Sequence, residues 1–336
     1  MVDSAILFSR RYVRQKRSAR LHMLPSRIDP ALLQLDRKLF NLAKGLETLR
    51  YINPTNIAQE RKAFLSRHGT KEPAFRYRPL DLDPYSFREQ LYRLPVEMIR
   101  DPSIAQLYRE VVDSLCSKID LLISAGQEKF VYNSLKYYGE PSLEDERNAD
   151  FLLHAPLFES PEPRSVTSVE LAQRFRERAQ EWGMQCKVEI SNRLAAAAMV
   201  SNARRTVYLG KGLSFTETEA QQLLHHELGV HMATTLNART HKLKVFALGL
   251  PGNTMTQEGL AILNEFHSAT LSLGRLKELA LRVLAVREML RHGSFRHTWQ
   301  YLLETHGLDQ NEAFRLALRV HRGGGFTKDH LYLRGV

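Results

Sequence analysis

Apolar residues recur at helical spacing through most of the chain. Leu32, Leu35, Leu39, Leu42 and Leu46 fall on or near one face of a helix opened by Asp29-Pro30. Leu107, Val111, Leu115, Ile119 and Leu122 do the same after Asp101-Pro102. Proline suits the first helical position because its missing N–H would find no partner there. Between these helices, Phe75 to Pro95 is rich in Pro, Asp and Tyr and predicts an irregular connection. A second break spans Pro141 to Pro163 and predicts a seam between a helical region, 1–160, and a mixed region, 161–336.

The mixed region opens on a helix capped by Thr167 with Glu170 and closed by Gly183. Cys186 to Ser191 alternates apolar and polar positions as a half-buried strand should, and Met199 to Leu209 contains another. Thr216 with Glu219 predicts a second reciprocal cap, opening a helix that runs to Leu236. Near the end, a helix over Asn311 to Val320 leads through Gly323-Gly324-Gly325 to a strand-like Leu331 to Leu333. The fold class is α+β, mostly helical with a small sheet.

Composition changes this picture little. Hydrophobic residues make up 43% and charged residues 25%, as in soluble globular proteins, and no run approaches the length of a membrane span. Two cysteines are too few for a disulfide framework, so a reducing, cytoplasmic setting is expected. The apolar patch Met1 to Phe8 precedes its basic residues, the wrong order for a secretory signal. Formal net charge is +11, with its densest basic run from Arg10 to Arg20. That balance suits an acidic partner, but no phosphate loop, zinc-finger spacing or RNA-recognition signature makes nucleic acid the expected one.

The informative segment is His226-Glu227-Leu228-Gly229-Val230-His231. Two histidines four apart share a helix face and can hold one metal ion. Here they are five apart, which leaves them roughly 140° apart on a regular helix. Either this is no metal site, or the helix is locally widened, as in a π-bulge. Gly229 lowers the cost of such a distortion, since it lacks the Cβ that restricts torsions. His225 is a neighbour of the pair and not a ligand. A catalytic zinc ion needs a third ligand and an open position. Glu258 and His241 are the candidates. Glu258 is preferred, on a helix expected to be capped by Thr254 with Gln257 and small enough at Gly259 and Ala261 to approach the histidines. Glu227 then lies beside the metal, placed to take a proton from zinc-bound water.

The string His225 to His231, the segment Thr234 to Arg239 and Thr256-Gln257-Glu258-Gly259-Leu260-Ala261 together resemble the QEGLA-motif family. This family includes the microtubule-associated tyrosine carboxypeptidases, and its bacterial members are named for flavohaemoglobin expression. The resemblance runs from Leu24 to Asp329. It implies a zincin-like metallopeptidase that removes a C-terminal residue, Tyr or Phe among the candidates. It also implies Zn2+ held by His226, His231 and Glu258, with Glu227 as the catalytic carboxylate. A free C-terminal carboxylate is best held by a cation, Arg above all. Arg205 and Arg239 are the first candidates, with Arg204 and Lys328 behind them. The expected partner is a peptide or protein C-terminus, an acidic one suiting the charge. Two rival classes share the site: an endopeptidase, and a basic regulatory or nucleic-acid-binding protein with a non-catalytic zinc.

Overall fold

A computed structural model of the chain describes residues 28–158, 162–192, 194 and 196–336. The basic run from Arg10 to Arg20 and the stretch Leu24 to Arg27 lie outside them. The architecture is α+β and mostly helical, with two small sheets. No helix among the described residues is long and apolar enough to cross a membrane.

The Asp-Pro starts form as expected. The Asp29 carboxylate accepts from the Ala31 N–H ahead of helix Pro30–Ala43, and Asp101 caps helix Pro102–Ile123 through Ser103 and Ile104. Their apolar faces meet: Leu32, Leu35 and Leu39 are buried with Val111, Leu115 and Ile119 in one cluster. Each such side chain contributes roughly 1.5–3 kcal/mol on full burial.

Each of the two expected breaks contains a helix. Asp83-Pro84 repeats the same device inside the supposed irregular connection: Asp83 accepts from the Tyr85 and Ser86 N–H groups and opens helix Pro84–Tyr92. Within the supposed seam, Ser142 and Asp145 form a reciprocal cap for helix Leu143–His154. That helix packs on Leu273–His292, where Ala149 is buried with Ala280, Val283 and Leu284. In both stretches the prolines flank a helix without interrupting it. Residues far apart in sequence share further clusters. Phe64 is buried among Phe295, Trp299 and Phe314, and Phe130 packs with Phe326.

The larger sheet has the order β2-β4-β3, with β2 Lys187–Ser191 parallel to β4 Thr206–Gly210 and β3 Ala198–Ser201 antiparallel to it. The expected strand between Met199 and Leu209 is therefore two strands and a turn. Arg205 closes the turn in the left-handed region, with φ 51°. β1 Val166–Thr167 and β5 Ser214–Phe215 make a separate two-stranded pair. Thr167 accepts from the Glu170 N–H to cap helix Ser168–Glu181, while Thr216 and Glu219 complete both halves of their cap. Helix Gln310–His321 forms as expected, but Leu331–Arg334 is a short helix and no strand. Three alternating residues do not fix a period. Leu331 is buried, whereas Tyr332 turns toward Arg282 and His226.

Candidate metal centre

The motif helix runs from Glu217 to Thr240 but changes pitch in the middle. Residues Glu227–Met232 form a π-helical turn between α-helical segments Glu217–His226 and Ala233–Thr240. Pairing five residues apart brings His226 and His231 back toward one face, as their spacing required. Their rings lie 4.9 Å apart. Gly229 serves this turn differently from expectation. Its φ is not positive, so its torsional freedom goes unused. A Cβ there would strike the Asn264 side-chain amide, which donates a 2.8 Å hydrogen bond to the His225 carbonyl. Gly229 thus makes room for a side chain that satisfies a backbone carbonyl beside the widened turn.

Helix Asn253–His267 supplies the rest. Its N-cap is Gly252 in the left-handed conformation, not Thr254. Gln257 accepts a hydrogen bond from the Thr234 hydroxyl at 2.9 Å and ties this helix to the motif helix. Gly259 faces the backbone of Gly335 and not the histidines, so its smallness admits the C-terminal turn. One residue before it, Glu258 is buried with Oε2 at 3.7 Å from His226 Nε2 and 3.6 Å from His231 Nε2. Oε2 has no hydrogen-bond partner, while Oε1 accepts from Lys328 Nζ at 2.7 Å.

Burial opposes the Glu258 charge, yet Lys328, His231 and His226 hold its carboxyl well below the usual range. Two helical turns on, Glu265 sits at 2.7 Å from His226 Nδ1 and is itself paired with Arg275 at 3.1 Å. That contact assigns a proton to Nδ1 and turns Nε2 toward the Glu258 carboxylate. Burial works against a charged His226, but Glu258, Glu265 and nearby Glu227 push it up to about 9. The position between the three donor atoms is one that favours positive charge.

His226, Glu227, His231 and Glu258 border a cavity of about 340 Å³. β3 forms one wall through Ala198, Met199 and Val200; Arg319, Arg322, Lys328 and Tyr332 stand in another. Lys118, Tyr138, Met199 and Lys328 also line a wider cavity of about 620 Å³ beside it. Arg319 and Arg322 share one carboxylate, Asp329, at 2.5 and 3.7 Å. Arg322 is 4% exposed with its Nε unpartnered, and burial pulls its guanidinium down to about 10. The wall therefore carries more cation than its carboxylates neutralise.

The cations expected from sequence separate here. Lys328 reaches the site. Arg239 lines the wider cavity and donates to the Asn202 and Ala203 carbonyls, pinning the β3–β4 turn. Arg204 and Arg205 are exposed on that turn and line neither cavity. His241 is exposed beyond the end of the motif helix against Phe246, and His225 turns to Trp182.

A family model described as microtubule-associated tyrosine carboxypeptidase matches residues 62–336. The chain belongs to that family. No curated protein is a significant sequence match to it. Membership assigns a peptidase of carboxypeptidase type, and the matched residues contain every side chain of the centre described above. Within this family member, the residues that sequence reading missed are Glu265, Arg275, Arg319, Arg322 and Tyr332. Glu265 alone had a local signal, since it stands seven residues after Glu258 on the same helix face.

Proposed function

We propose that the chain is a zinc-dependent, zincin-like carboxypeptidase that removes one residue from the C-terminus of a peptide or protein. The observation that carries this reading is the buried, unpartnered Oε2 of Glu258 facing two imidazole Nε2 atoms at 3.6 and 3.7 Å. Ligand atoms bonded at about 2.0–2.2 Å to a tetrahedral ion lie roughly 3.4 Å apart. Two histidines and a glutamate are a donor set for catalytic zinc, so His226, His231 and Glu258 would hold the ion. Zinc supplies a Lewis acid that polarises the scissile carbonyl and makes water a better nucleophile.

The remaining work falls to side chains. Glu227, next to the first ligand and 7% exposed, accepts a proton from the attacking water and delivers it to the departing amine. Lys328 occupies Oε1 of Glu258, which leaves the unpartnered Oε2 as the oxygen that would serve as ligand. Arg319 and Arg322 offer the surplus positive charge that a substrate's terminal carboxylate would complete. Tyr137, Tyr138 and Phe246 line the same cavity and suit an aromatic final residue. The family description makes C-terminal tyrosine, and tubulin among proteins, the first to test.

The test joins metal analysis of the purified chain to mass spectrometry of peptides ending in tyrosine. Free C-termini should be shortened by one residue and amidated ones spared. Glu227→Gln should keep its zinc and lose hydrolysis by about a hundredfold or more. Internal cleavage of amidated peptides would favour the endopeptidase instead. Undiminished trimming by Glu227→Gln would end the mechanism.

A further inference from the structure

A second group of two histidines and one glutamate meets at a point elsewhere in the described residues: Glu288, His292 and His297. It lies at the corner where helix Leu273–His292 turns through Gly293 and Ser294 into helix Phe295–Glu304. Glu288 and His292 are one turn apart on the first helix, so they share a face. His297 comes from the first turn of the second helix. Gly293, with φ 67°, lets the chain reverse in so short a span.

The donor atoms converge closely. His297 Nε2 lies 3.2 Å and His292 Nε2 3.5 Å from the same oxygen, Glu288 Oε2. These distances bracket the roughly 3.4 Å between ligand atoms on a tetrahedral ion bonded at about 2.0–2.1 Å. The two rings lie 3.8 Å apart. Arg291 Nη1 stands 3.3 Å from the other oxygen, Oε1. A cation on one carboxylate oxygen and two imidazoles on the other is also the pattern at Glu258, where Lys328 plays Arg291's part. A hydrogen bond from His297 would by itself leave unexplained why His292 presents Nε2 to the same atom. Glu288 is 8% exposed, while the side chains of His292 and His297 are 46% and 45% exposed. The group therefore opens to solvent on its imidazole side, leaving a position for water.

We propose that Glu288, His292 and His297 form a second binding site for a divalent transition cation, zinc being the one best suited to this donor set. The ion would clip the end of one core helix to the start of the next, beside the buried Met289, Phe295 and Trp299. Its role is attachment, independent of the proposed peptidase centre and of any reaction there.

Stripping the full chain with a chelator and returning zinc by equilibrium dialysis tests this through metal count alone. The wild-type chain should take up two zinc ions. His292→Ala and His297→Ala should each retain one, with affinity at the altered site lowered by an order of magnitude or more, and should trim tyrosine-ending peptides as wild type does. His292→Gln, with circular dichroism beside it, checks that the loss is not unfolding. His226→Ala should also retain one ion but lose hydrolysis. Wild-type zinc uptake by both His292→Ala and His297→Ala would overturn the second site and leave the peptidase reading standing. Loss of zinc in these variants, with none lost in His226→Ala, would support the second site and remove the first.

Discussion

His226 sits between two carboxylates, with Glu265 on Nδ1 and Glu258 facing Nε2. Burial disfavours its charge, but these neighbours push it up to about 9 from its ordinary 6.5 without a metal. The sign follows. A folded-state value above the unfolded one stabilises the metal-free fold fully below about 6.5, and that gain disappears as pH rises through about 9. At pH 7 the metal-free site is therefore protonated, and a zinc ion binding there would have to displace the proton. Titration calorimetry at pH 7 in buffers of differing ionisation heat should show about one proton released per ion bound at this site. Apparent affinity should fall about tenfold for each pH unit below 9. A binding heat independent of buffer would contradict this. At this scale the sequence was legible where neighbours are local. His226, Glu227 and His231 stand together in one short string, and Glu265 could have been found by counting two turns from Glu258. Arg275, Arg319, Arg322 and Tyr332 come from separate elements, and no local pattern announces which cations a fold will gather. Arg204 and Arg205 show the converse: proximity in sequence to the motif helix left them exposed on a turn.

At the scale of elements, the five-residue spacing was more informative than the residue types. A regular helix could not present both histidines, and the chain supplies a π-helical turn across Glu227–Met232. The two glycines near it were read less well, because a glycine's purpose depends on what approaches it. Gly229 gives room to Asn264, and Gly259 to Gly335. Their alanine variants should accordingly differ. In Gly229→Ala the obstacle is the end of a flexible side chain, which can swing away at the expense of its hydrogen bond to His225, about 1 kcal/mol. In Gly259→Ala the obstacle is backbone, so the C-terminal turn itself must move, at about 1–3 kcal/mol. Denaturant midpoints should fall further for Gly259→Ala, and zinc affinity with them, since Glu258 is the adjacent residue. Equal midpoints would refute the distinction. The Asp-Pro starts were legible because Pro at the first position and Asp before it act locally. Asp83-Pro84 carried the same signal and was obscured by the prolines and tyrosines around it.

Across the whole molecule, the formal charge of +11 and the cationic cavity wall point the same way. Peptides with acidic residues before the C-terminus should show higher kcat/KM than neutral ones, and added salt should narrow the gap by screening charges beyond about 10 Å at 0.1 M. A preference unchanged between 0.05 and 0.5 M salt (roughly a threefold change in screening length) would place its origin in direct contacts alone. The widened turn also has a consequence beyond the histidines. Each residue advances a helix by about 100°, so by absorbing one residue the turn keeps the phase of everything after it. Thr234 meets Gln257, Thr235 meets Asn202, and Arg239 meets the Asn202 and Ala203 carbonyls because of that phase. Deleting Leu228 would restore an ordinary four-residue spacing and keep both imidazoles on one side. It would also leave these three grips in place, whereas a regular α-helix through the full-length motif would turn them away by about 100°. The wide turn works like slack let into a screw thread: it takes up the extra residue, so the far half of the shaft still meets the wall it must hold.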